Sequence, residues 1–148
     1  MKKIFSLLVI ILLAANLAHS AEVNIGELVD QYKHATDLQR QDLENNFIGK
    51  RITASGVIEN VGEYDFFDIT NDTGGKYYKV LALQQETANK VPYQIVFLFK
   101  DKSRLVDLNR GEPIEKEGSI MKILDERLQI AVWIYEGELT SKELNLFK

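Results

Sequence analysis

The spacing of apolar residues changes once along this chain. From Ile25 to Phe47 they recur at three- and four-residue intervals, and from Ile52 onward they recur at two. Ile25, Leu28, Val29, Tyr32 and Ala35 form one stripe, which predicts an amphipathic helix. Leu38, Leu43 and Phe47 carry the apolar face on, so the helical region spans about 25–46. Asn24 is placed to cap its start, with Glu27 three residues on. Thr36–Asp37 either interrupts the helix or caps a second piece, and Gly49 closes the region.

The period-two part reads as strands. Ile52, Ala54, Gly56 and Ile58 share a face, with Arg51, Thr53 and Ser55 opposite. Phe66 to Thr70 is a second strand, and Asn71 to Gly75 is a turn signal. Tyr77 to Gln84 is a third. Tyr93 to Phe99 is apolar on both faces and predicts a covered central strand. Ser103 to Gly111 suits a single helical turn. Ile114 to Leu124 is a fifth strand, where Gly118 signals a bulge or bend. Leu128, Ile130, Val132 and Ile134 alternate inward on a sixth. Glu143 to Phe147 reads as a short terminal helix or a frayed tail.

A helix followed by short strands, with a helical turn before the last two, predicts a mainly β protein. The expected architecture is a small Greek-key barrel of five to six strands, preceded by the amphipathic helix. Gly56 and Gly118 fall where such a barrel curves tightly. A β-sandwich is the main competing reading, and an open sheet with one packed helix is a third.

The N-terminus carries a different pattern. Lys2 and Lys3 precede an apolar run from Ile4 to Ala15 interrupted only by Ser6, and Ala18-His19-Ser20-Ala21 follows. A positive start, an apolar middle and a small-residue end predict a secretory signal peptide over residues 1–20, cut near Ser20–Ala21. The apolar core is shorter than the roughly 20 residues of a membrane anchor. A lipoprotein would need a cysteine at the cut, and the chain has none. Residues 21–148 then form one domain, its barrel running from about 50 to 137, with no stable membrane anchor.

Composition narrows the chemistry. Removing the leader from 148 residues leaves 128, and without Lys2 and Lys3 there are 16 Lys and Arg against 22 Asp and Glu, a formal charge of −6. Phosphate affinity comes largely from Lys and Arg, so this balance disfavours nucleic acid. The absence of cysteine from an exported chain leaves a core held by packing alone. These features point to the bacterial periplasm, or to full secretion.

Two runs carry a family resemblance. Ile48-Gly49-Lys50-Arg51-Ile52 through Gly56-Val57-Ile58 follows G-K-x-I-x-x-x-G-x-I, and Leu105 through Gly118 follows L-x-x-L-x-x-G-x-x-I-x-x-x-G. Both resemble the OB-fold domains called tRNA-anticodon-binding-like, common in exported bacterial proteins and also preceded by an amphipathic helix. The resemblance implies a fold, since its motifs are glycines and core positions. It implies no active site and no tRNA role. The chain departs from the family by an extra strand, Tyr77 to Gln84 or Tyr93 to Phe99, and by lacking the cysteine many members carry in the last strands.

Candidate chemistry is sparse. Asp72-Thr73-Gly74 matches the aspartic-protease triplet, but that chemistry needs two aspartates sharing a proton. A hairpin turn accounts for Asn71 to Gly75. His34 is the one histidine after the leader, so no His-based metal site or Cys/His nucleophile forms within one protomer. Asp65, Asp68 and Asp72 lack the spacing of a known Ca²⁺ loop. No catalytic residue, cofactor or metal is expected.

The aromatics remain. If Ile130, Val132 and Ile134 face inward, Trp133 and Tyr135 face the other side. OB-folds bind on strands two and three and the adjoining loops, which brings in Tyr64, Phe66 and Tyr77. The candidate ligand-binding set is therefore Tyr64, Phe66, Tyr77, Trp133 and Tyr135, with loops expected at Asn60–Tyr64 and Asp125–Arg127. The competing reading is that these rings pack on the helix or cap the barrel. The function expected is an exported, non-enzymatic binding module of the envelope for a protein, peptide or glycan. A carboxylate-based envelope hydrolase is one alternative. A nucleic-acid binder is another, by fold analogy, through Lys50, Arg51, Lys76, Lys79, Lys100, Lys102 and Arg104.

Overall fold

The computed structural model describes residues 23–64 and 77–141. The signal peptide expected over residues 1–20, the strand Phe66–Thr70, the turn after it and the terminal segment from Glu143 lie outside the described residues.

Two helices open the domain, α1 (Ile25–His34) and α2 (Asp37–Phe47), where one region over 25–46 was expected. The break is local chemistry. Ala35 and Thr36 are extended, and the Thr36 hydroxyl accepts from the Gln39 N–H while the Gln39 side chain accepts from the Thr36 N–H. This reciprocal capping box starts α2 and ends α1. Asn24 caps α1 as its position predicts, its Oδ1 accepting from the Glu27 N–H at 3.2 Å.

The strands are β1 (Arg51–Tyr64), β2 (Tyr77–Ala82), β3 (Gln85–Glu86), β4 (Pro92–Phe99), β5 (Pro113–Asp125) and β6 (Ile130–Tyr135). A short 3₁₀ turn, Lys102–Arg104, follows β4. The sheet order is β2-β1-β5-β6-β4-β3, and a further β2–β4 pairing closes the ring. All pairs are antiparallel except β4–β6, which runs parallel from Tyr93 opposite Ile130 to Leu98 opposite Tyr135. β1 spans two partners, with Arg51 to Val57 on β5 and Ile58 to Tyr64 on β2. This closed Greek-key order is an OB-like barrel, as the strand pattern predicts.

Several boundaries differ from expectation. β1 runs on to Tyr64, so Asn60–Tyr64 is strand and not loop, held by pairing to Leu81 through Tyr77. β2 ends at Ala82 because the Leu83 N–H turns to the Val57 carbonyl. Leu128 is 83 % exposed in the β5–β6 turn, since the strand begins only at Ile130. The irregularity in β5 falls between Ile120 and Lys122, not at Gly118. Gly118 serves another need: a Cβ there would lie 2.4 Å from the Tyr135 carbonyl oxygen. Only a residue without a side chain lets β5 and the end of β6 approach this closely.

The barrel interior holds Ile52, Ile58, Val80, Ile95, Phe97, Ile120, Val132 and Ile134, and α1 plugs one end with Leu28, Val29 and Tyr32. Burial of such side chains is the main favourable term, at about 1.5–3 kcal/mol for each large one.

Candidate ligand face on the outer side of the barrel

A second apolar cluster lies on the opposite face of the same strands. It consists of Val96, Leu98, Met121, Ala131, Trp133 and Tyr135, with Tyr77, Leu81 and Leu139 packed against it. Register explains the grouping. Trp133 lies beside Val96, and Val96 beside Leu81; Tyr135 lies beside Leu98, and Leu98 beside Lys79. Period-two strands send alternate residues to opposite faces, so a strand apolar at every position supplies both clusters. β6 is such a strand, and β4 is one apart from Gln94.

Cations sit on this face. The Lys122 ammonium lies 4.1 Å from the Trp133 ring centroid, and the Lys100 ammonium 5.4 Å from that of Tyr135. Tyr77 meets Tyr135 edge-on, with centroids 6.4 Å apart. Burial holds the Lys122 pKa below the usual lysine value, with Glu126 a weaker opposing influence. A low-dielectric surrounding disfavours the charged form.

A polar chain borders the cluster. The Gln94 amide, buried in β4, donates to Glu59 Oε2 and to the Ala82 carbonyl, each at 2.8 Å. Its own oxygen accepts from Gln129 Nε2 at 2.7 Å. Glu136 anchors the far end, accepting from the Lys100 N–H and pairing with Arg104 at 2.6 Å.

Of the residues expected to form a site, Tyr77, Trp133 and Tyr135 come together here. Tyr64 is opposite Tyr77 at the end of β1, and Phe66 is outside the described residues. Trp133 and Tyr135 are 8 % and 7 % exposed, and the cover is not α1, which packs on the interior cluster. Sequence reasoning missed Gln94 and Lys122. Each is a polar residue inside an otherwise apolar strand run, Tyr93–Phe99 and Ile120–Leu124, and that interruption is the signal that marks them.

The other candidates fall elsewhere. His34 is exposed at the end of α1. Asp65, Asp68 and the Asp72-Thr73-Gly74 triplet lie outside the described residues. Among the described residues no three His, Asp or Glu are grouped to hold a metal ion. Asp125 pairs with Lys33 at 3.2 Å and Arg40 at 2.8 Å. Burial alone would raise its carboxyl, but hydrogen bonds from Lys33 and Arg40 outweigh this and hold it below the usual aspartate value. Of the basic residues considered for nucleic acid, Arg51 is paired with Glu117 and Arg104 with Glu136. No helix among the described residues is long and apolar enough to cross a membrane.

No family model and no curated protein matches the chain. Among solved structures it is similar to a lipoprotein of Klebsiella pneumoniae, provisionally described there as nucleic acid-binding. Identity is 16 %, over 80 % of this chain and 92 % of that one, with a TM-score of 0.49.

Proposed function

We propose that this protein is an exported, non-enzymatic binding module of the bacterial envelope, which holds a protein or peptide partner against the β2–β4–β6 face. The observation that carries this reading is the second apolar cluster, built on the strands where OB-folds take ligands and set beside Lys100 and Lys122. A glycan partner needs aromatic faces open for stacking, and the near-complete burial of Trp133 and Tyr135 disfavours one. The non-enzymatic reading is supported by the acids: Asp125, Glu117 and Glu136 are each committed to a Lys or Arg. A general acid or base needs a tuned, available proton, and a carboxylate held ionised by two cations is poorly suited. Export rests on the Lys-Lys leader and the Ala18-His19-Ser20 site.

The test places a photo-crosslinking residue at Tyr77 or Leu81 and, as a control, at the exposed Leu38 of α2. Crosslinks to a protein at 77 and 81 but not at 38 are expected in cells. Crosslinking from 38 alone would overturn the assignment of the face. N-terminal sequencing of the periplasmic protein should begin at Ala21.

A further inference from the structure

The outer cluster is covered. Val96, Leu98, Met121, Ala131, Trp133 and Tyr135 are between 1 % and 8 % exposed. On the convex side of a barrel side chains fan apart, so neighbours along the sheet do not bury one another this far. The helices do not supply the cover, because their apolar residues pack on the interior cluster. A ligand face can be buried in the free protein only if its cover comes off.

The path of the chain after β6 points to the source of that cover. The Glu136 N–H donates to the Leu98 carbonyl at 3.0 Å, and the Ser119 hydroxyl donates to the Gly137 carbonyl at 2.8 Å. These bonds hold the chain against β4 and β5 as it leaves β6. Leu139 then packs on the outer cluster, and among the described residues grouped there it alone comes from outside the strands. The chain has therefore turned back onto the face by Leu139. Residues 142–148 follow, with Leu144, Leu146 and Phe147 set among Lys142, Glu143, Asn145 and Lys148. From Leu139 to Leu146 the chain reaches about 10 Å as a helix and about 23 Å fully extended. The outer two of the neighbouring strands β6, β4 and β2 lie about 10 Å apart. Either conformation carries apolar side chains across the cluster.

We infer that residues 142–148 lie across the β2–β4–β6 face in the free protein, and that the partner binds by displacing them. This rests on the assignment of that face to a protein partner and specifies how the site is regulated. Burial of Leu144, Leu146 and Phe147 favours the contact, while ordering the backbone that carries them opposes it by a comparable amount, so the strap can leave. Tethering keeps it close to the face, which shields an apolar patch that would otherwise promote association.

Trp133 is the single tryptophan of the chain, so its emission reports on the cover directly. The mature protein is compared with a chain ending at Ser141 and with the full-length variant Leu144→Ser, Leu146→Ser, Phe147→Ser. Both altered chains should emit further to the red and be quenched by acrylamide at least about twofold more strongly, as the indole passes from apolar cover to water. A synthetic peptide of residues 139–148 should reverse the change in the shortened chain, and crosslinking from 77 and 81 to the partner should rise there. If the shortened chain fails to fold, the serine variant carries the test. Unchanged emission and quenching in the folded serine variant would overturn the inference. So would a red shift of the unaltered protein on dilution to nanomolar concentration, which would assign the cover to a second copy. If Trp133 is uncovered as expected but 77 and 81 still crosslink to no protein, the strap stands and the partner reading fails. If emission is unchanged while the crosslinks form, the face stands and only the strap fails.

Discussion

The two sides of β5 handle charge in opposite ways. Toward the helices, the polar groups around Asp125 and Tyr32 answer one another. Asp125 at the end of β5 receives Lys33 and Arg40, the Tyr32 hydroxyl donates to Glu44 Oε1 at 2.6 Å, and the Arg40 guanidinium stacks 5.0 Å from the Tyr32 ring centroid. On the outer face, Lys122 rests on Trp133 and forms no ion pair, with Glu126 favouring its charge only weakly. The first arrangement is a latch: its groups satisfy one another and fasten α1 and α2 to the barrel. The second leaves a half-buried ammonium compensated chiefly by a ring face. Polar groups paired within the chain contribute to stability, whereas a half-buried charge without an ion pair costs it.

The contrast can be broken most forcefully where the two clusters meet. Gly118→Val would drive a side chain into the Tyr135 carbonyl and the Ile134 side chain, in the seam behind both clusters. A loss of about 3 kcal/mol or more in urea unfolding is expected, or failure to fold. A loss under about 1 kcal/mol would show that β5 and β6 can separate without disturbing either side.

The latch is next. Tyr32→Phe removes the hydroxyl bonded to Glu44 and should cost about 1 kcal/mol. Burial, then the Glu44 hydrogen bond, raises the Tyr32 pKa. A raised folded pKa gives stability that is complete below the unfolded value and lost as pH climbs beyond it. Wild type should therefore lose stability above about pH 10, and Tyr32→Phe should lose less there.

Asp125→Asn should cost about 1 kcal/mol at neutral pH, since the pairs with Lys33 and Arg40 are partly exposed. Its pKa is depressed, so its contribution exists above the unfolded value and vanishes as pH falls through the folded one. The gap between wild type and Asp125→Asn should close below about pH 4, as read by thermal unfolding across pH. A constant gap would mean that the amide and the carboxylate differ for a reason other than charge.

The smallest effect belongs to the outer face. Lys122→Met should change stability by less than about 0.5 kcal/mol, because the lost ring contact is offset by relief of desolvation. A destabilisation of about 2 kcal/mol or more would place Lys122 with the latch groups and erase the distinction between the two sides.

Much of this was legible along the chain. The 3.6-residue stripe of Ile25 to Tyr32 marked α1, and the two-residue alternation of β1 and β6 marked their inner faces. Thr36–Asp37 was visible as an interruption because a capping box is written within four residues. Strand ends were less legible. Whether Asn60 to Tyr64 is loop or strand depends on Leu81 to Tyr77 lying beside it, and Leu128 is exposed because its hairpin partner has already ended.

By itself, then, the sequence determined the helical region, the inward faces of β1 and β6, and the caps at Asn24 and Thr36. These follow from backbone preference and side-chain period, which act over a few residues. Tertiary structure alone decided that Tyr77 joins Trp133 and Tyr135 in one outer cluster, that Trp133 and Tyr135 are buried there, that Lys122 lies over Trp133, and that Asp125 fastens both helices. Those facts depend on register between strands distant in sequence. The residues involved are brought together by closure of the barrel, and burial and pairing take their values only once that closure has occurred.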